Sequence, residues 1–264
     1  DALVAVVYYV GAGVAVTDVL DLTAEFTVAA GKINNAAGTD TTGAGADGDY
    51  SFAGMRDHAL TPALAGTATV LALIGAGSKA GLVPLHVWLP LAHPAAPSHI
   101  SAVLSGVIIK MGIYGLMRII AIIKGFPEWC AVVLLLIGMI SGVGGVLYAL
   151  GQHEINKLLA YHSIENIGII TLGLGIGLWG QIAHHELAAL IGYAGALLHV
   201  FNHAIFKGLL FLSAGSLIRS TRTGEIDHLG GLLKKLPWTG HLFLAGSLAI
   251  CGLPFFNGFV SEWL

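Results

Sequence analysis

Charge is what this sequence has least of. Asp, Glu, Lys and Arg together make up 10% of the 264 residues, against roughly 25% in an average soluble domain. So few charges cannot clothe a water-facing surface of ordinary composition. That excludes a soluble enzyme, a nucleic-acid-binding protein and a disordered chain. The formal net charge of −3 is too small to imply a polyanionic partner. Cysteine is almost missing. Cys130 and Cys251 sit in apolar runs without metal or redox spacing and read as small core residues. What the sequence has in place of charge is 56% apolar residues and a mean hydropathy of +0.82. The expected class is an all-α polytopic membrane protein.

The few charges are unevenly placed. Residues 1–57 hold eight acids and two bases, net −6; residues 58–264 hold seven acids and ten bases, net +3. The chain opens at Asp1 with no basic segment and no cleavage site, so no secretory signal is expected and the start reads as a cut. Residues 1–20 read as a partial transmembrane helix. Residues 21–58, with their Gly, Ala, Asp, Asn and Thr, read as a polar loop of the composition found in disordered segments. Residues 59–264 then form one membrane domain.

A bilayer core takes about 20 residues of helix. Stretches of that order occur at Ala59–Ser78, Ser98–Ile123, Trp129–Leu150, Leu158–Ala183, Leu187–Ile218 and Leu236–Ser261. With the partial segment at the front, a bundle of six to seven spans is expected. Pro84, Pro90, Pro94 and Pro97 break the uncharged stretch between Ala80 and Ser98. Lys and Arg in the connections divide into two sets of three or four against five, one with Arg56, Arg118 and Lys124 and with Lys32 as a fourth candidate, the other with Lys157, Arg219, Arg222, Lys234 and Lys235. The larger set places the loop at 219–235 in the cytoplasm. Glycine, at 37 residues, reads as close helix packing in lipid, the run at 142–145 included. Gly75, Gly77 and Gly81 imitate a dinucleotide fingerprint. That motif needs an acid about 20 residues on, whereas the next acid after Gly75 is Glu128.

The informative residues are the charges inside the spans, each costing roughly 2.5–3.5 kcal/mol at a helix centre. Lys79 follows 20 uncharged residues and precedes Gly81 and Pro84, where helix hydrogen bonding is interrupted. The plainer alternative is a lysine snorkelling at a helix end. Lys110 lies about 18 Å into its helix by the helical rise, with Tyr114 and Arg118 following at intervals of four. His199, His203 and Lys207 also stand four apart and share one face. Imidazole is both donor and acceptor and titrates near neutrality, so the three read as a proton wire. Satisfied structural histidines are the rival reading. A zinc site fails, because Val200 stands where glutamate would be required. Glu165, with His162 three residues before it, reads as a buried acid with its partner, and a helix-packing ion pair is an equal alternative. Glu262 closes an uncharged run after Pro254, Asn257 and Gly258, and Gly-Leu-Pro at 252–254 echoes Gly-Leu-Val-Pro at 81–84. Such echoes suggest an internal repeat with two broken helices. His86, His93 and His99 flank the prolines and suit either hydrogen bonding or proton entry.

Several of these residues lie in longer motifs. Lys-Ala-Gly-Leu-Val-Pro-Leu-His-Val-Trp-Leu-Pro (79–90), Ala-His-Pro-Ala-Ala-Pro-Ser (92–98) and Lys-Met-Gly-Ile-Tyr-Gly-Leu-Met-Arg (110–118) are three. Lys-Leu-Leu-Ala-Tyr (157–161) and the run from His199 to Leu212 are two more. Together they resemble the proton-conducting, antiporter-like subunits of respiratory complex I and the related Mrp antiporters, over about residues 50–264. Tyr161–Ile169 and Asn257–Leu264 resemble in particular the group 4 hydrogenase type, that of the membrane subunits of hydrogenase-4 and formate hydrogenlyase. The resemblance implies an inverted-repeat antiporter-like fold, in a multi-pass subunit of the cell inner (cytoplasmic) membrane. It implies that Lys79 is the lysine of the first broken helix and Lys110 the central relay residue. It makes His199, His203 and Lys207 the central wire and Glu262 the ionisable residue of the second broken helix. Glu165, His162 and His86 are secondary members. A glutamate on an earlier helix, which pairs with the Lys79-type residue in this family, has no counterpart among residues 1–49. Neither do helices beyond Glu262, so the chain is expected to be part of a longer subunit.

The function so implied is translocation of protons through a buried Lys/His/Glu relay, coupled to a redox partner in a hydrogenase or NADH–quinone oxidoreductase type of complex. Burial makes a lysine lose its proton more readily, and a nearby carboxylate reverses that. Moving such a carboxylate would switch Lys79 between holding and releasing a proton, which would pass by Lys110 to the His199–His203–Lys207 face and leave by Glu262. The chain carries no nickel, iron–sulfur, flavin or quinone motif, so no cofactor, metal or catalytic residue is assigned to it. Redox chemistry is expected on partner subunits, membrane-bound and soluble. The alternatives are an Mrp-type sodium/proton antiporter subunit and a non-conducting structural anchor.

Overall fold

The structure is a computed structural model and describes residues 60–264. Both the partial helix expected at 1–20 and the loop expected at 21–58 lie outside the described residues. Among the described residues, five helices are long and apolar enough to cross a membrane: α1 (Pro62–Ala80), α3 (Ser98–Ile122), α4 (Glu128–Leu150), α5 (Ile155–Ile182) and α6 (Glu186–Thr221). Between α1 and α3 lies the short α2 (Trp88–Ala95). After α6 come α7 (Leu232–Lys235), α8 (Pro237–Ile250) and α9 (Asn257–Trp263).

Local chemistry sets the helix ends. Pro62 opens α1 and Pro237 opens α8 at the first helical position, where a missing N–H costs nothing. Glu154 caps α5, its carboxylate accepting from the N–H groups of Asn156 and Lys157. Gly81 ends α1 in the left-handed region at φ 83°. The Leu82 N–H returns to Gly77 O at 2.9 Å and the Gly81 N–H to Ser78 O at 3.2 Å. This pair of bonds is the glycine-dependent stop of a Schellman motif.

The stretch 236–261, expected as one span, is two short helices. Between them the chain turns at Gly252 (φ 60°) and Phe255 (φ 76°), either side of Pro254. Both expected breaks, at Gly81–Pro84 and at Gly252–Gly258, are therefore present. The span read as Ser98–Ile123 carries a π turn at Leu104–Ile108, which no local pattern in the sequence announces.

The bundle is organised around α5 and α6. Helix α5 packs against α4, α6, α2 and α3, and α6 packs against α5, α3, α8 and α9. Glycine makes the α4–α5 contact possible. A Cβ on Gly168 would run into Gly142 N and stand 2.7 Å from Gly138 O, and one on Gly145 would stand 2.6 Å from Glu165 N. On its outer face α4 exposes Leu136, Met139, Ile140, Val143 and Leu147, an apolar surface suited to lipid. The ends of the bundle agree with the charge sets. Ile155 N donates to Gly224 O and Ile226 N to His153 O, so Lys157 shares a side with the loop at 219–235. Leu60 N donates to Lys124 O, which puts the start of α1 with Lys124 on the other.

The α4–α5 seam predicts a sharp contrast between a glycine inside it and one outside it. Gly168→Ala forces backbone apart and should destabilise the subunit by about 1–3 kcal/mol. Gly144→Ala, where a Cβ meets nothing within 4 Å, should be neutral or slightly stabilising. Thermal unfolding of the two variants in detergent would distinguish them, and equal melting temperatures would contradict the packing described.

Candidate proton pathway

A charged side chain inside such a bundle must find polar partners, since lipid and apolar core supply none. The structure supplies main-chain carbonyls. Lys110, 7% exposed, donates from Nζ to Ser105 O. The π turn explains the pairing. A long helical side chain reaches back towards the N-terminus of its helix, and in a π turn the carbonyl beneath lies five residues back instead of four. Lys207, fully buried, donates from Nζ to Leu159 O of α5 at 2.6 Å. Neither Lys110 nor Lys207 has a carboxylate in ion-pair contact among the described residues.

Between the two ammonium groups lie two hydroxyls. Ser163 Oγ donates to Leu159 O at 3.1 Å, and Ser105 Oγ and Ser163 Oγ are 2.8 Å apart. Sequence reading missed both serines. Nothing in the pattern distinguishes Ser105 or Ser163 from Ser101 or Ser213, which are also buried.

His199 and His203 share the buried face of α6 with Lys207, as their spacing requires, and all three are fully buried. Their hydrogen bonds do not run along that face. The two imidazole rings lie parallel with centres 6.3 Å apart. His199 Nε2 pairs with Asn166 Oδ1 and its Nδ1 with Ser261 Oγ, each at 3.0 Å. The Asn166 amide is oriented by its own Nδ2, which donates to His162 O at 2.7 Å, so Oδ1 faces the imidazole and Nε2 carries hydrogen. Asn202 Nδ2 donates to Ser261 Oγ and to Asn257 O. His199 therefore ties α5 to α9, the helix beyond the second break. Both ring nitrogens of His203 are buried without a hydrogen-bond partner, and Phe206 stands edge-on to the ring at 5.3 Å.

The other expected residues are placed less centrally. Lys79 occupies the last turn of α1 and is partly exposed. Gly112 is packed so closely on Ala80 that a Cβ there would stand 2.7 Å from Ala80 N, which sets the end of α1 level with the turn holding Lys110. Tyr114 and Arg118 do not continue the Lys110 face inward. Tyr114 is 53% exposed, and the Arg118 guanidinium lies over its ring. Each step of four turns the face by about 40°, and the Lys110 side chain bends the opposite way, towards Ser105. Glu165 pairs with His162 at 2.5 Å on α5. Glu262 is exposed, and its carboxylate lies close against Gly252 in the break. His86, between α1 and α2, is partly buried with Nδ1 unpartnered. His93 is fully buried and stacked on Phe211 at 4.5 Å, and Lys207 Nζ lies 5.9 Å from the centre of the same ring.

Among the described residues, five apolar spans, a broken pair of shorter helices and a buried lysine–histidine centre define the class of antiporter-like membrane subunits. The chain belongs to the NADH:quinone oxidoreductase/Mrp antiporter transmembrane family, whose model matches residues 48–264. It is 47% identical over 219 residues to hydrogenase-4 component B of Escherichia coli (strain K12), covering 82% of this chain and 33% of that protein. It is 43% identical over 195 residues to formate hydrogenlyase subunit 3 of the same organism, covering 74% of this chain and 32% of that protein. Among solved structures it is similar to the Mrp complex of Dietzia sp. DQ12-45-1b, with a TM-score of 0.77 and 25% identity over 98% of this chain and 43% of the other. The chain spans about a third of the length of the two curated relatives.

The role of Asn166 as the acceptor for His199 can be tested by Asn166→Leu. The change leaves Nε2–H of a fully buried imidazole without an acceptor and should cost about 1–3 kcal/mol of stability, read as a lower melting temperature of the purified subunit. Ser220→Ala, at an exposed hydroxyl, is the control and should shift it little.

Proposed function

We propose that residues 59–264 are the proton-conducting part of a subunit that moves protons across a cytoplasmic membrane, driven by a redox partner of the hydrogenase or NADH–quinone oxidoreductase kind. One observation carries the reading: two lysines, Lys110 and Lys207, are buried in an apolar bundle with no ion-pair partner among the described residues, and are linked by a short chain of hydroxyls and carbonyls. A purely structural cation would be paired or turned to the surface. An amine in that position can hold a proton or surrender it, and its neighbours accept hydrogen in either case.

Lys79 at the first break is the entry member and Glu262 at the second break the exit member. His199 and His203 lie between them on α6, and Glu165, His162 and His86 are accessory members. Membership of hydrogenase-4 and formate hydrogenlyase subunits in the same family supports partner subunits, membrane-bound and soluble, that carry the redox chemistry. An Mrp-type sodium/proton exchanger is the second reading because of the structural likeness. Sodium requires oxygen ligands in number, whereas the centre offers ammonium and imidazole nitrogens, which favours protons.

In the full-length subunit within its complex, Lys207→Met should reduce redox-driven proton uptake into vesicles at least tenfold, on the order of what a lost proton-transfer group costs, with assembly on native gels intact. Lys234→Met and Lys235→Met, both at exposed positions, should leave uptake near normal, since bulk water replaces a surface charge. Normal uptake in Lys207→Met would refute the relay and favour the structural anchor. Equal losses in all three would indicate an assembly defect.

A further inference from the structure

The spacing of His199, His203 and Lys207 suggests a wire along one face of α6, but the hydrogen bonds cross the bundle by another route. We infer that Ser105 and Ser163 carry the proton between Lys110 and Lys207, bridging α3 and α5. This rests on the reading of the two lysines as proton carriers.

The geometry gives the bridge a direction. A hydroxyl has one hydrogen and two acceptor positions. Ser163 Oγ donates to Leu159 O, so the hydrogen between the two hydroxyls comes from Ser105 Oγ. Ser105 Oγ is left with acceptor capacity beside Lys110, which already donates to the carbonyl of that same residue. At the other end the Ser163 hydrogen points to Leu159 O, the atom on which Lys207 Nζ also sits. Ser105 and Ser163 are both fully buried.

The step balances. The Lys110 ammonium gives one proton to Ser105 Oγ, Ser105 passes its own hydroxyl hydrogen to Ser163 Oγ, and Ser163 passes its own to the neutral amine of Lys207. Three bonds to hydrogen break and three form. The net change is one proton moved from Lys110 to Lys207, with no oxidant or reductant. Each lysine trades its carbonyl for the adjacent hydroxyl during transfer, a motion that four side-chain torsions permit. His199 is engaged by Asn166 through Nε2 and by Ser261 through Nδ1. His199 thereby ties α9 to the core, while the serine bridge links the two lysines directly.

The test uses the full-length subunit in its complex, with proton uptake into vesicles driven by the redox reaction and assembly checked by native gel. Ser105→Ala and Ser163→Ala should each slow uptake about tenfold or more, and the double variant should be no worse than the slower single, because one interrupted wire cannot be interrupted twice. The solvent deuterium isotope effect on uptake should rise in these variants, since proton transfer has become limiting; a packing defect would slow uptake without that change. Should the alanine variants fail to assemble, Ser163→Thr and Ser163→Val compare the same shape with and without the hydroxyl, and only the threonine variant should conduct. Normal uptake in the double alanine variant, with Lys207→Met inactive, would overturn the serine bridge and leave the lysine relay standing. Normal uptake in Lys207→Met would overturn both.

Discussion

The fold is arranged around the need to keep two ammonium groups inside an apolar bundle. Neither Lys110 nor Lys207 is neutralised by a touching carboxylate among the described residues; each is held by a main-chain carbonyl. A helix interior has few carbonyls to spare, since each already accepts its own helical hydrogen bond. The π turn at Leu104–Ile108 brings Ser105 O beneath Lys110. On α5, Leu159 O serves a serine hydroxyl and a lysine from the neighbouring helix as well. Replacing either carbonyl with an acid would make a firmer ion pair and a poorer carrier, because a proton held by a full opposite charge is harder to release.

Such contacts need helices closer than ordinary side chains allow. Lys207 reaches α5 because α5 and α6 pack tightly, and α5 is held in turn by glycines facing α4. Gly168, against Gly142 and Gly138, has no room for a methyl group. Small residues so serve the chemistry indirectly, by setting the distance across which one side chain must reach a backbone oxygen. The two breaks act in a similar way. At Gly81 and Gly252 the chain leaves a helix through a left-handed glycine, and the segment that follows enters the bundle from a new angle. The second break ends in α9, which Ser261 and Asn257 fasten to His199 and Asn202. The ionisable groups do not sit alike at the two breaks: Lys79 precedes its glycine by two residues, while Glu262 follows its glycine by ten and folds back onto it.

How much of this could be read from the residues differs by kind of information. Low charge and apolar runs of bilayer length determined the class and placed the spans, because in lipid only a helix satisfies its own backbone. Proline and glycine marked both breaks for equally local reasons, and a spacing of four put His199, His203 and Lys207 on one face. What touches that face is not a local property. Ser105 and Ser163 are far apart in the chain and ordinary in sequence, and they meet only because α3 and α5 cross there. Tyr114 and Arg118, which follow Lys110 at intervals of four, lead towards the surface, while the lysine side chain bends back to Ser105, a partner that spacing does not reveal. The sequence by itself determined which residues are costly enough to matter. Only the tertiary structure decided their partners, because in this bundle the partners are mostly backbone oxygens and small hydroxyls, which every helix offers and only packing selects.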